Sequence, residues 1–370
     1  MPSSTAAPVI VAACIATALM AAGSQQPQRS SPAWNAPAAA RHLDGRAEWW
    51  LHWPNAARDH DTVCVSCHTS MSYAMARPAL RAALGDDAST APERAIVANV
   101  VKRVRLWNEV EPFYPDQTRG LPKTSESRGT EAILNALMLA TRDARTGVLT
   151  DDARLAFTNL WPLQFKAGDL NGAWAWLNFH LEPWESSDSP YYGAALAALA
   201  VGRAPSGYSS SPDIQDRLKR LRDYLARRAD TESLFNRVMA LWASTALQGI
   251  LTPVQRQAII DAAVSRQQSD GGWTTSALGV WKRVDSTPLD TASDGYATGL
   301  MTLVLQQAGA SRTEGLVSRG LSWLAQHQDV ASGGWFAASL NKQREPSSDA
   351  GRFMSDAATA YAVLALTQPH

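Results

Sequence analysis

Cys64-Val65-Ser66-Cys67-His68 is the stretch of this chain whose residue types and spacing can do chemistry. Two thiols separated by two residues and followed at once by an imidazole form the attachment signature for a c-type haem. Each thiol adds to one haem vinyl group, and the adjacent imidazole falls beneath the iron as an axial ligand. The spacing is demanding, because two thioethers and an iron–nitrogen bond must close on one short turn. Cys64, Cys67 and His68 are therefore the expected sites of a covalent haem c, with His68 the proximal iron ligand. Three other chemistries use such a pair. Structural zinc takes four ligands, and the one further cysteine, Cys14, lies in a segment expected to be removed. A redox pair usually opens a helix in a thioredoxin-like βαβ context, which is not seen around it. A plain disulfide leaves the histidine without a reason.

The elements that must position this motif begin after a leader. Pro8 to Gly23 is a short apolar run ending in small residues, which reads residues 1–23 as a signal peptide and is short for a membrane span. No Lys or Arg precedes the run, so an uncleaved anchor is the alternative. Residues 24–40 read as a linker. Export fits haem c, which is attached outside the bacterial cytoplasm, so a periplasmic or secreted location is expected. Residues 41–370 are long enough for a large core. Lys plus Arg and Asp plus Glu each number 34, and that balance excludes a nucleic-acid partner. Three cysteines exclude a disulfide scaffold. Tryptophan is abundant, at 14 residues, and repetition accounts for it.

Gln267-Gln268-Ser269-Asp270-Gly271-Gly272-Trp273 and the segment from Gln326 to Gly333-Gly334-Trp335 are two versions of one Q-x(n)-G-G-W turn. Ser293-Asp294 and Ser355-Asp356 follow the two tryptophans at the same spacing, and each opens an Ala-rich apolar run. Ser187-Asp188 does the same earlier. The helix before each turn is amphipathic: Ile214, Leu218, Leu221 and Leu225 make one stripe. The helix after it is apolar nearly all round, as in a buried helix. Such alternation predicts an all-α fold, an (α/α)6 toroid with inner helices starting near Ser127, Asp188, Glu232, Asp294 and Asp356. Outer helices are expected near Pro92, Thr150, Pro212, Pro253 and Thr313. A sixth pair, at 38–50 and 72–80, sets Tyr73 over Tyr296 and puts the haem segment, 41–85, inside the first repeat.

These turns and inner helices resemble the QW repeats of the squalene–hopene cyclase and prenyltransferase superfamily. The resemblance implies a bracing role for Gln267, Trp273, Gln326 and Trp335. The family's acid motif, Asp-x-Asp-Asp, has no full counterpart: Leu289-Asp290-Thr291-Ala292-Ser293-Asp294 lacks the adjacent pair. Asp188, Asp294 and Asp356 read instead as N-caps. The expected function is then an exported haem protein on a cyclase-like toroid, transferring electrons to a partner protein or doing redox chemistry on an apolar, isoprenoid-like ligand. The alternative is a squalene-cyclase-like enzyme or lipid binder whose CxxCH is a disulfide or redox pair. Membrane contact is compatible with both. In the repeat register Met354 falls near the height of His68, and methionine partners histidine on haem iron, so Met354 is the candidate distal ligand. Met71 and Met75 sit too close to His68 in sequence to reach the far face easily. His52, His60 and His180 are further candidates.

Overall fold

The structure is a computed structural model that describes residues 1–3, 34–309 and 313–368. The chain divides into two compact units, Met1–Ser31 and Pro32–His370. The helices discussed here all belong to the second. The leader run from Pro8 to Gly23, and Cys14 within it, lie outside the described residues. The segment read as a linker already turns helical at Ala36.

Among the described residues, twelve helices of ten residues or more alternate between two rings. The outer ones are α1 (Ala36–His52), α3 (Ala91–Arg105), α5 (Asp151–Leu160), α7 (Gln215–Arg228), α9 (Pro253–Val264) and α11 (Glu314–Gln326). The inner ones are α2 (Ser70–Leu84), α4 (Lys123–Ala144), α6 (Ser189–Arg203), α8 (Leu234–Ala246), α10 (Gly295–Ala308) and α12 (Phe353–Leu366). Each inner helix packs on the next, and α12 packs back on α2, which closes the ring. The all-α (α/α)6 toroid is thus the fold. A two-stranded hairpin, β1 (Ala57–Arg58) with β2 (Thr62–Val63), hangs between α1 and α2 and carries the chain into Cys64.

Local chemistry sets these elements. Thr90 and Thr252 start α3 and α9 with capping boxes, closed by Glu93 and Gln255, which satisfies the free amides of the first turn. The inner helices are buried on nearly every face, and their small residues allow close approach. A Cβ on Gly299 would stand 2.6 Å from the Ala362 nitrogen of the next inner helix. The tryptophan turns brace neighbouring units. Trp273 Nε1 donates to the Ala263 carbonyl and Trp335 Nε1 to the Leu324 carbonyl, each at 2.8 Å. Gln267 donates to Gly271 and on to Leu316 at the start of the next outer helix.

Three expectations from the repeat register need correction. Gln326 is merely the exposed last residue of α11. The bracing glutamine of that unit is Gln328, which donates to Gly333 and to Asn35 ahead of α1, because the second turn loops out one residue further. Of the three presumed caps only Asp294 accepts from its helix, at Ala297. Asp188 makes no cap bond, and Asp356 lies inside the first turn of α12, where it reaches across the ring. Tyr73 does not correspond to Tyr296. Its hydroxyl donates outward to Asp44 on α1, whereas the Tyr296 hydroxyl accepts from Trp184 at the ring's centre.

Candidate functional site

The cysteine motif is held rigidly. The Cys64 amide donates to Ala56 at 2.8 Å, and its carbonyl accepts from Trp50 Nε1 at 2.8 Å. Asn99 clamps the preceding Val63 through both its amide and its carbonyl. Beneath the hairpin Arg103, fully buried, forms a bidentate pair with buried Glu131 and donates to Thr62. Ser66, between the cysteines, accepts from the amides of Thr69 and Ser70 and so caps α2. These bonds fix the backbone on either side of the motif.

Cys64, Cys67, His68 and Met354 all line one cavity of about 710 Å³ at this end of the ring. Two distant stretches of chain thus meet, Met354 joining the Cys64–His68 stretch because α12 packs against α2. His52, His60 and His180 do not line it. The His68 ring stacks on Phe353 with centroids 4.0 Å apart and meets Trp50 edge-on at 5.0 Å. Its Nδ1 lies 2.8 Å from Thr69 Oγ1. Desolvation, helped by the Arg46 charge, brings its pKa down to about 3, so the imidazole is neutral and one of its two ring nitrogens carries a lone pair.

The sequence did not point to the rest of the wall, where the Trp184 ring lies 6.0 Å from that of His68. It is the turn Leu181-Glu182-Pro183-Trp184-Glu185, tied back on itself by reciprocal bonds between Leu181 and Glu185. Asn341, from the segment before α12, clamps it at Glu182 in both directions. Burial pushes the Glu185 carboxyl up to about 7, and burial also raises Glu182. Arg58, Arg119 and Arg344 complete a wall that mixes cations and carboxyls with the rings of Trp53, Tyr114 and Phe179. The one sequence signal for this wall was an acid–Pro–Trp–acid run in a stretch without helical period.

The geometry corrects the alternative chemistry of the cysteines. Their sulfurs are not joined. Burial pushes the Cys64 thiol up to about 12 and Cys67 well above its usual value, the reverse of a redox pair, which needs an accessible thiolate. Among the described residues no three His, Cys, Asp or Glu side chains gather as a ligand set for a metal ion. The expected metal-binding character is therefore unsupported by a protein-only site. Among the described residues, no helix is long and apolar enough to cross a membrane.

No family model matches the sequence, and no curated protein does. Solved structures do match in fold. The GH76A alpha-1,6-mannanase from Salegentibacter sp. HEL1_6 superposes with a TM-score of 0.53 at 11% identity, covering 90% of this chain and 99% of that one. An inactive variant of that enzyme in complex with alpha-1,6-mannotriose gives 0.54, with the same identity and coverage. These findings overturn the resemblance to squalene–hopene cyclases and prenyltransferases. The physical reason is that Gly-Gly-Trp turns and Ala-rich inner helices answer the packing needs of an α/α ring whatever its chemistry. Cyclase activity, lipid binding and redox chemistry on an isoprenoid-like ligand, which leaned on that resemblance, fall with it, and the fold neighbours give no support to the electron transfer expected from the cysteine motif. A wall bearing three arginines and two glutamates is also a poor host for an isoprenoid, since each unpaired polar group would be desolvated at a cost.

Proposed function

We propose that the cavity is a small-molecule site and that a carbohydrate is the class its walls favour. One observation carries this reading: aromatic faces, guanidinium groups and two carboxyls of raised pKa line a single cavity, within the size range of ligand pockets. Sugars offer apolar faces to Trp and Phe and hydroxyls to Asn, Arg and Glu. Glycoside cleavage uses one carboxyl that is still protonated near neutrality and a second that acts as base or nucleophile. Glu185 suits the first role, and Glu182 is the second carboxyl on the same cavity. The fold shared with alpha-1,6-mannanases supports the substrate class.

This chain differs from that enzyme in its acids. The inactive mannanase variant carries asparagine at two consecutive aspartates. The consecutive aspartates here, Asp86-Asp87 and Asp151-Asp152, lie away from the cavity. The reading therefore rests on this chain's own glutamates. Calorimetric titration with alpha-1,6-mannotriose and longer mannans tests it. Binding that is weakened at least tenfold by Trp184→Ala, with any hydrolysis lost in Glu185→Gln, supports it. Absence of binding to any oligosaccharide of a broad panel removes it.

A second reading concerns a cofactor and is favoured by Cys64, Cys67 and His68 lining the same cavity. The residues fit a covalent haem c: two unjoined thiols, and a neutral imidazole whose Nε2 has no hydrogen-bond partner among the described residues. Cys64 and Cys67 would hold the group, and His68 and Met354 would be its candidate ligands. Such a group would supply a coordinated iron centre to the cavity. No electron-transfer or cyclase role is attached to it. This reading brings with it an exported location, periplasmic or secreted, through the leader expected at residues 1–23. Co-expression with the haem-c maturation machinery, followed by haem staining of a denaturing gel, tests it. A protein that carries no stain, and whose Cys64→Ala variant behaves identically, ends it.

A further inference from the structure

The side chain of Thr69 stands between His68 and Asp356. Its Oγ1 donates to Asp356 Oδ2 at 2.7 Å and lies 2.8 Å from His68 Nδ1. Asp356 is buried and takes two further bonds from Arg46, Nε to Oδ1 and Nη2 to Oδ2. All three contacts present donors to the carboxylate, so Asp356 is an acceptor throughout.

A hydroxyl has one proton. Since Thr69 gives its proton to Asp356, it can only accept at Nδ1, and Nδ1 must carry the hydrogen. We infer that Arg46, Asp356 and Thr69 form a relay that fixes His68 as the Nδ1–H tautomer and leaves the Nε2 lone pair free toward the cavity. Thr69 and Asp356 are thus positioning residues. The ring-closing helix α12 sets the state of a side chain just ahead of α2. Orientation of a neutral imidazole through the other ring nitrogen is a general way to make the free nitrogen a better base or ligand. Phe353, stacked on the ring, holds its plane.

The consequence for a bound ligand rests on the reading that the cavity is a small-molecule site, but the tautomer can be measured on the protein alone. Long-range proton–nitrogen correlation of ring-labelled histidines reads it, with His68→Gln identifying the signal. The wild-type protein is expected to show Nδ1–H in about tenfold excess or more, the preference of a charge-assisted bond. Thr69→Val should erase that preference and Thr69→Ser should restore it. Asp356→Asn offers an amide donor to Thr69 and should reverse the relay, giving Nε2–H. A wild-type His68 found as Nε2–H, or a Thr69→Val protein that keeps Nδ1–H undiminished, overturns the inference. The wild-type spectrum decides even if a variant fails to fold, and it does so whether or not any sugar or haem binds.

Discussion

Arg46 and Asp356 lie 310 residues apart in sequence and join the first helix of the ring to the last through two parallel hydrogen bonds, 2.6 and 3.0 Å long. Both side chains are nearly excluded from solvent. Desolvation raises the Asp356 pKa while Arg46 and Thr69 oppose that rise. The pair closes the toroid and also orients the imidazole on the cavity wall.

Removing one partner leaves the other as an uncompensated buried charge. Asp356→Ala is expected to cost about 3–5 kcal/mol, read as a fall in the urea midpoint at constant slope. The double replacement Arg46→Met with Asp356→Leu should cost less than either single one, since the orphaned charge is then gone. Equal additive losses would show that the two residues do not act as a pair.

The bracing glutamines separate a correct register from a near miss. Gln328→Ala removes three bonds that tie the last turn to Asn35, in both directions, and to Gly333 and should cost about 1–2 kcal/mol. Gln326→Ala, at an exposed helix end, should stay within about 0.5 kcal/mol of wild type. Thermal or urea unfolding of the two variants side by side is the check.

Two glycines should respond to alanine in opposite directions. Gly299→Ala drives a methyl against the α12 backbone, overpacking that costs about 1–3 kcal/mol. Gly45 sits exposed in the middle of α1 with open space around it, so Gly45→Ala should stabilise by up to about 1 kcal/mol through helix propensity. A stabilising Gly299→Ala would mean that the inner helices are not in such close contact.

Glu185 gives stability a definite pH dependence. Burial raises its pKa from an ordinary 4.5 to about 7. Between those values the folded chain holds a proton that the unfolded chain has released. Its contribution is therefore intact below pH 4.5 and is lost as pH rises through 7. The stability of the wild type relative to Glu185→Gln should decline from pH 5 to pH 8 in urea titrations. A flat difference would indicate an unshifted carboxyl.

The ring itself was legible in the sequence. Threonine and proline starts, amphipathic stripes and Ala-rich runs are local, and each states its helix without reference to a partner. Their recurrence announces stacking units, which is why the outer and inner helices begin within a few residues of the expected places. The Cys64, Cys67 and His68 motif is also local, written in consecutive residues, and the structure places all three on one cavity. What the repeats could not state was chemistry class, because Gln267 and Trp273 serve packing in any such ring. Nor could they reveal the rest of the cavity's wall. Glu182, Glu185 and Asn341 sit in irregular connections with no period, and only ring closure brings them to the cavity that Cys67 and His68 line. Asp356 shows the same limit in a single residue. Its position at a helix start reads as a cap, yet its carboxylate crosses to Arg46 and Thr69, because burial among the inner helices makes a charged partner from the far end of the chain worth more than the nearest free amide.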